Sequence, residues 1–211
     1  PLPMPLRVPT PSNIVLRRAV RQLDDAVDAM LAERARRPLS DGRTPDMLDL
    51  LLATRDEDGR TLSAREVRDQ VVTFIVAGHE TVASALTWAW DLLAHHPEAA
   101  ARLRAEADAL DGPATFDDLP RLPFAAAVLD ETLRLYPPAW VITRRALEDD
   151  ELAGVPVAAN ALVIVSPWLV HRHASAWDRP EEFDPSRFLD ESGARRRDVV
   201  ASPAYLPFGA G

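Results

Sequence analysis

The 211-residue sequence contains no cysteine and no lysine. Without cysteine there is no disulfide framework, no thiolate zinc site, no CxxC redox pair and no cysteine nucleophile within these residues. A chain of this length can build a core without such staples. All 24 basic residues are arginine, a compositional bias, so only an arginine inside a specific pattern carries functional weight. Long apolar runs are also missing. None approaches the ~18 residues of a membrane span, and no span is expected. The opening stretch PLPMPLRVPTP lacks a basic segment followed by an apolar one, so no signal peptide is expected and the expected compartment is the cytoplasm. A net charge of −9 without a clustered basic face argues against nucleic acid as a partner.

What is present is a succession of helical segments followed by a smaller β-type region. After five prolines among the first eleven residues, Ser12 or Asn13 can cap a helix to about Arg37, with Leu16, Val20, Leu23, Val27 and Met30 on one apolar stripe. Thr44-Pro45 opens a second helix carrying Met47, Leu48, Leu51 and Leu52. Ser63-Ala64-Arg65-Glu66 reads as a capping box in front of the longest element, from about Ala64 to His95, which spans roughly 50 Å. Its middle, Val71 to Gly78, is apolar on every face and is expected in the interior. Pro97 starts a helix to about Leu110, and another runs from about Phe124 to Tyr136, where Pro137-Pro138 stops it. Val141–Arg144 and Ala161–Val165 are strand-like, separated by a turn at Gly154-Val155-Pro156. From Pro167 onward loop and short helix are expected. The fold class is mainly α with a small β-sheet, in one domain with no dividing linker.

Three places could carry chemistry. The first is Ala77-Gly78-His79-Glu80-Thr81 in the long helix. Gly costs ~1 kcal/mol against Ala in a helix, and a carboxylate in an apolar rod must be paired, hydrated or protonated. Thr81 could also bond back to the carbonyl of Ala77 and bend the helix. Either a polar groove opens here, or two helices cross with Glu80 on a solvated side. A zinc-protease reading fails, since position 83 is Ala where a second His is needed. His95-His96 and His171-Arg172-His173 read as surface or packing residues, too few to make a metal site. The second place is Glu131-Thr132-Leu133-Arg134, whose i, i+3 spacing puts carboxylate and guanidinium on one face. It is either a surface pair or a buried one joined by Arg187. The third is Pro207-Phe208-Gly209-Ala210-Gly211, where glycines flank an aromatic as if the backbone passed close to something flat or bulky. It is no dinucleotide fingerprint, because no buried strand precedes it and no third glycine or helix follows.

Together and in this order, with the Pro185-Ser186-Arg187-Phe188 stretch, these motifs resemble the cytochrome P450 family of haem-thiolate monooxygenases. Ala77–Thr81 is similar to the oxygen-activation segment of its long central helix. Glu131, Arg134 and Arg187 are similar to its structural Glu-Arg-Arg triad, and Pro207–Gly211 to the opening of its haem-ligand loop. In that loop the axial cysteine falls four residues beyond Gly211, so none of the metal ligands is expected within this chain. The resemblance implies a C-terminal-half portion of a single domain, residues 1–211, truncated at both ends.

The resemblance implies a partial fold of that family: long central helix, following helices, β hairpin, meander and the start of the ligand loop. It implies haem (heme b, iron protoporphyrin IX) in the intact enzyme, O2 and an apolar fatty-acid-like or terpenoid-like substrate, and a reductase or ferredoxin as electron donor. Glu80 and Thr81 are then the catalytic pair, Thr81 hydrogen-bonding toward dioxygen and Glu80 relaying protons. Ala77 and Gly78 lie against the haem face, Arg144 pairs with a propionate, and Pro207, Phe208 and Gly209 surround the thiolate. Ala77, Ala139, Trp140, Val141 and Ile142 contribute to the substrate pocket. The alternative is a non-catalytic helical remnant that binds no haem as it stands.

Overall fold

The computed structural model describes Pro5, residues 7–36 and residues 44–209. The described elements are α1 (Pro11–Arg36), α2 (Met47–Ala53), α3 (Ala64–His95), α4 (Pro97–Asp108), α5 (Pro123–Leu135), β1 (Ile142–Arg145), β2 (Asp150–Leu152), β3 (Val155–Val157), β4 (Leu162–Val165), α6 (Pro167–Val170) and α7 (Arg197–Val200), with 3-10 turns at Phe116–Arg121 and Pro185–Phe188. The chain divides into two compact units, residues 1–79 and 80–211, and α3 runs through the division.

In the first unit the cap of α1 is Thr10 rather than Ser12 or Asn13. The Thr10 hydroxyl accepts from the Asn13 N–H at 3.2 Å, and Pro11 takes the first helical position, where a missing N–H costs nothing. The Asn13 amide is freed to donate to the carbonyls of Pro5 and Val8, which ties the proline-rich segment to the helix. Arg37, the expected end, lies outside the described residues. Of the expected apolar stripe only Val27 is buried; Leu16, Val20 and Met30 are exposed. The stripe is correct in phase, but just one turn of it meets a partner. The second helix is capped by Asp46, one residue past Thr44-Pro45, in a capping box with Asp49. Arg34 reaches both carboxylates, at 2.5 Å and 2.6 Å, and Asp46 is held below the usual carboxylate range chiefly by that bond. Val27, Leu48, Val67 and Val71 form the apolar core of this unit.

α3 begins where its capping box predicts: the Ser63 N–H donates to Glu66 at 2.7 Å and the Glu66 N–H to the Ser63 hydroxyl at 3.3 Å. The expectation of an interior helix is corrected along its middle. Phe74, Ile75, Val76 and Val82 are all exposed, Val76 by 54 %, because no described element packs over them. One 18-residue window of α3 reaches a mean hydropathy of 1.2, so by length and composition alone this helix could cross a membrane. The segment holds no uninterrupted apolar run of that length, since Thr, His and Glu punctuate it.

In the second unit the C-terminal part of α3 is anchored. Ala89, Leu92 and Leu93 are buried, and Trp88 stacks on Tyr136 with ring centroids 4.0 Å apart. The core gathers Leu93, Phe124, Ala127, Val128, Trp177, Phe188, Leu189 and Tyr205, with α5 through its centre. Leu122 gives α5 no side-chain cap. Glu106 of α4 supplies one instead, each carboxylate oxygen accepting a backbone N–H, from Phe124 and Ala125, at 2.8 Å. The β-region forms two antiparallel pairs. β1 and β4 align Ile142 with Val165 and Arg145 with Leu162. The expected turn at Gly154-Val155-Pro156 is in fact a second hairpin: β2 and β3 join through Ala153 and Gly154 alone, both at positive φ, with Pro156 in an edge strand that needs no donor there.

Candidate functional site

The best-formed polar site is built on α5, one face of which presents Asp130, Glu131 and Arg134 to the segments after β4. Arg134 and Glu131 have no exposed side-chain surface. A guanidinium taken that far from water needs every donor satisfied. Arg134 achieves this: Nε and Nη2 donate to the two oxygens of Glu131 at 2.6 and 2.8 Å, Nη1 to the carbonyls of His171 and Pro180, and Nη2 again to that of Glu182. Glu131 Oε1 also accepts from the Asp184 N–H at 2.9 Å and from Arg187 Nε at 3.3 Å. Arg187 continues outward to the carbonyls of Asp178 and Arg179. The expected trio is therefore brought together, and the surface-pair alternative is excluded by burial.

Sequence reasoning missed the rest of this network. Asp130 receives Arg195 in a two-point pair at 2.7 and 2.8 Å and the Tyr205 hydroxyl at 3.0 and 3.1 Å. Burial, with Asp130 alongside, raises the Tyr205 pKa well above its ordinary value. His171, fully buried, faces the Arg134 carbonyl through Nδ1 and takes the Leu206 N–H on Nε2 at 2.6 Å. Burial foremost, reinforced by the charges of Arg134 and Arg172, lowers its pKa to about 4. The partners of Asp130 lie 65 and 75 positions away, so no local pattern could announce them. His171 had a signal, an imidazole in the His171-Arg172-His173 run, but nothing to say that it was the buried one.

Beyond Leu206, Pro207 is buried and Phe208 is 89 % exposed. Gly209 has φ +80°, and a Cβ there would meet Ile142 Cδ1 at 3.1 Å. The end of the loop and the start of β1 thus lie against each other. Ala210 and Gly211 lie outside the described residues. Arg144 is exposed and donates only to the Thr143 carbonyl. Ala139 and Trp140 are exposed, Val141 and Ile142 half-buried. Trp140 lines an open recess of about 520 Å³ with Ser166, Trp168 and Leu169, and its carbonyl accepts from the Ser166 hydroxyl. Ala77 and Gly78 fall in the first unit, while Glu80, Thr81, Arg144 and the 207–209 segment fall in the second. All of Ala77–Thr81 is exposed, and a Cβ on Gly78 would meet nothing within 4 Å.

The family description "Cytochrome P450" matches residues 1–211. The chain belongs to the cytochrome P450 family. Among its relatives, pentalenene oxygenase of Streptomyces avermitilis is 44% identical over 207 residues, covering 97% of this chain and 44% of that protein. Cyclooctat-9-en-7-ol 5-monooxygenase of Streptomyces melanosporofaciens is 42% identical over 214 residues, covering 100% and 45%. Retinoic acid-bound cyanobacterial CYP120A1 superposes with a TM-score of 0.80 at 30% identity, over 99% of this chain and 47% of that one. The chain thus spans less than half the length of these P450 relatives, and its helical body with small antiparallel sheets is a partial P450 fold.

The P450 family implies haem in the intact enzyme. The residues in hand suit its periphery. An exposed cation at Arg144, an exposed aromatic at Phe208 and a backbone at Gly209 in the left-handed region, where a Cβ would crowd Ile142, suit the edge of such a group. The iron's thiolate is a different matter, since the 211 residues include no cysteine.

Proposed function

We propose that the intact protein is a cytoplasmic haem-dependent monooxygenase that inserts one atom of O2 into an apolar substrate, with electrons from a reductase or ferredoxin. The substrate class we favour is terpenoid, supported by relatives whose names carry pentalenene and cyclooctat-9-en-7-ol; a fatty-acid-like substrate is the second choice. One observation carries the reading: the Ala77–Thr81 stretch stands open on α3 in a chain that matches the family along its whole length. α3 is then a core helix of the complete domain, covered by residues outside this chain, and not a membrane span.

Arg144 would hold the cofactor through a propionate, with Pro207, Phe208 and Gly209 on the thiolate side and Ala77 and Gly78 against its face. A thiolate-ligated haem supplies the activation of dioxygen. The side chains do the rest. Thr81 would direct its hydroxyl toward dioxygen, and the Glu80 carboxylate, exposed to water, would pass protons from solvent toward it. Gly78 leaves an approach that a larger residue would close. Ala139, Trp140, Val141 and Ile142 offer apolar surface that orients the substrate and excludes water. Glu131, Arg134 and Arg187 touch none of the reacting atoms and hold the 178–187 segment in place.

A second reading applies to these 211 residues alone. Without a cysteine they supply no thiolate, so the isolated chain is a helical remnant without monooxygenase activity. The two readings separate in one experiment. The chain, supplied with haem, reduced and exposed to carbon monoxide, is expected to give no Soret band of the thiolate type, whereas the intact gene product gives one. A thiolate-type band from the short chain overturns the remnant reading, and its absence from the intact protein overturns the enzyme reading. In the intact enzyme, Thr81→Ala is expected to lower product formed per electron pair consumed at unchanged haem content. Unchanged coupling would remove Thr81 from the proton path.

A further inference from the structure

His171 is the one fully buried imidazole among the described residues, and the proposed chemistry leaves it without a task. Its surroundings define its protonation state. The Leu206 backbone N–H can only donate, so Nε2, 2.6 Å away, must be the accepting nitrogen. The Arg134 backbone carbonyl can only accept, so Nδ1, 3.1 Å away, must carry the proton. The ring is therefore neutral and in the Nδ1–H form. A charged ring would turn an N–H against the Leu206 N–H.

The two partners give this bridge its meaning. Arg134 closes the last turn of α5, and Tyr136 follows as its C-cap, so the Arg134 carbonyl is one of those left over at a helix end. Leu206 is the last residue before the Pro207–Gly209 loop, and it has no sheet or helix partner of its own. Beside it, Tyr205 hydroxyl is fixed on Asp130, one helical turn before Arg134 on α5. The His171 and Tyr205 rings stack at 5.4 Å. The loop thus leaves α5 from two adjacent fixings, and the one nearer its mouth is an imidazole at both of whose nitrogens a backbone group is bound.

We propose that His171 is a positioning residue that sets the height and direction of the Pro207–Gly209 loop by tying the Leu206 N–H to the C-terminal carbonyl of α5. What the loop approaches rests on the P450 reading, but the tie itself does not. Gly209 is linked to it through Leu206, whose carbonyl accepts the Gly209 N–H at 3.1 Å, and a Cβ at Gly209 would crowd Ile142. Released from Leu206, the loop is free to lift away from β1.

The test uses the two halves of the bridge separately. Gln at 171 places an amide oxygen about where Nε2 lies and keeps the Leu206 bond; Asn reaches only the Nδ1 position and keeps the Arg134 bond; Phe keeps the ring alone. Amide hydrogen exchange of the full 211-residue chain, read at Leu206, is expected to accelerate by about tenfold or more in His171→Asn and His171→Phe and to stay near wild type in His171→Gln. Protection of Leu206 in His171→Asn equal to wild type, or exchange in His171→Gln as fast as in His171→Phe, overturns the proposal. Should the variants fail to fold, the unsubstituted chain still decides it by NMR. A pyrrole-type Nδ1, a pyridine-type Nε2 and a coupling through the hydrogen bond between Nε2 and the Leu206 nitrogen are expected, and the opposite tautomer or no coupling overturns it. None of these readouts depends on haem, so a failed pin and a failed enzyme assignment give different results.

Discussion

Arg134 and Glu131 form a two-point ion pair one helical turn apart with neither side chain reaching solvent, and every one of the arginine's five N–H groups has an acceptor. Completeness is what makes such a pair tolerable in a core, because each unsatisfied donor would carry its desolvation cost unrelieved. Arg134→Lys keeps the charge but offers three donors where five are used. It is expected to destabilise the chain by about 3–5 kcal/mol, as is Glu131→Gln, which strands the guanidinium. Arg187→Lys should cost clearly less, since Arg187 is partly exposed and its bond to Glu131 is longer. Urea midpoints of the three variants check the order. Equal losses would mean that burial of the inner pair is not what counts.

How far the sequence announced this arrangement depends on the range over which each signal acts. The start of α3 and the end of α5 were legible because the Ser63–Glu66 box and Pro137-Pro138 act within one turn of chain. The β2–β3 hairpin signals only a turn, because three-residue strands carry too little alternation and Pro156 counts against a strand. α3 departs from expectation for a different reason. Its apolar middle does imply a covering layer, but hydrophobicity cannot say where that layer comes from, and among the described residues Val76 and Val82 are left exposed. At the site, Glu131 and Arg134 could be paired by spacing. Asp130, Tyr205 and His171 take partners from segments 35 to 75 positions away, beyond any local pattern.

Acid should loosen the fold through His171 in a defined window. The unfolded chain takes up the imidazole proton near 6.5, whereas the folded chain resists until about 4, because of burial and the nearby charges of Arg134 and Arg172. Between those values the unfolded state binds more protons, so stability falls as pH drops from 6.5 to 4 and this contribution levels off below. The full shift corresponds to about 3 kcal/mol, and nearer 2 once solvent screening is allowed for. The denaturation midpoint of His171→Gln is expected to lack this part of the pH dependence, while the carboxylate-driven loss below pH 4 remains. Parallel curves for variant and parent between pH 4 and 6.5 would contradict the buried neutral imidazole.

Tyr205 and Asp130 offer a test of mutual dependence. The phenol donates to both the backbone and the carboxylate of Asp130, and Arg195 holds that carboxylate from the more exposed side. Tyr205→Phe is expected to cost about 1–2 kcal/mol, the value of a buried hydrogen bond with a charged partner. Asp130→Ala should cost more, because it strips the Arg195 guanidinium of its carboxylate and leaves the phenol only the backbone carbonyl of residue 130, and Arg195→Ala less, because water reaches that side. Combined, Tyr205→Phe should remove part of the penalty of Asp130→Ala. Strict additivity in a double-mutant cycle would show that the two do not act together.

The two glycines of the proposed haem surroundings should respond to alanine in opposite ways. At Gly209 the backbone is in the left-handed region and a Cβ would meet Ile142 Cδ1, so Gly209→Ala is expected to destabilise by about 1 kcal/mol or more. Ile142→Val removes that terminal methyl and should relieve the contact but not the backbone strain, restoring only part of the loss. Gly78 is different. It lies mid-helix with nothing near its would-be Cβ, so Gly78→Ala should raise the stability of this chain by about 1 kcal/mol, the ordinary helix preference for alanine. On the proposed reading, the space beside Gly78 is where the haem approaches the helix. If the approaching body is the porphyrin, Gly78→Ala in the intact enzyme should weaken haem retention or dioxygen binding while the thermal midpoint of the 211-residue chain rises. A stabilised chain together with an unaffected holoenzyme would mean that the space beside Gly78 belongs to something else.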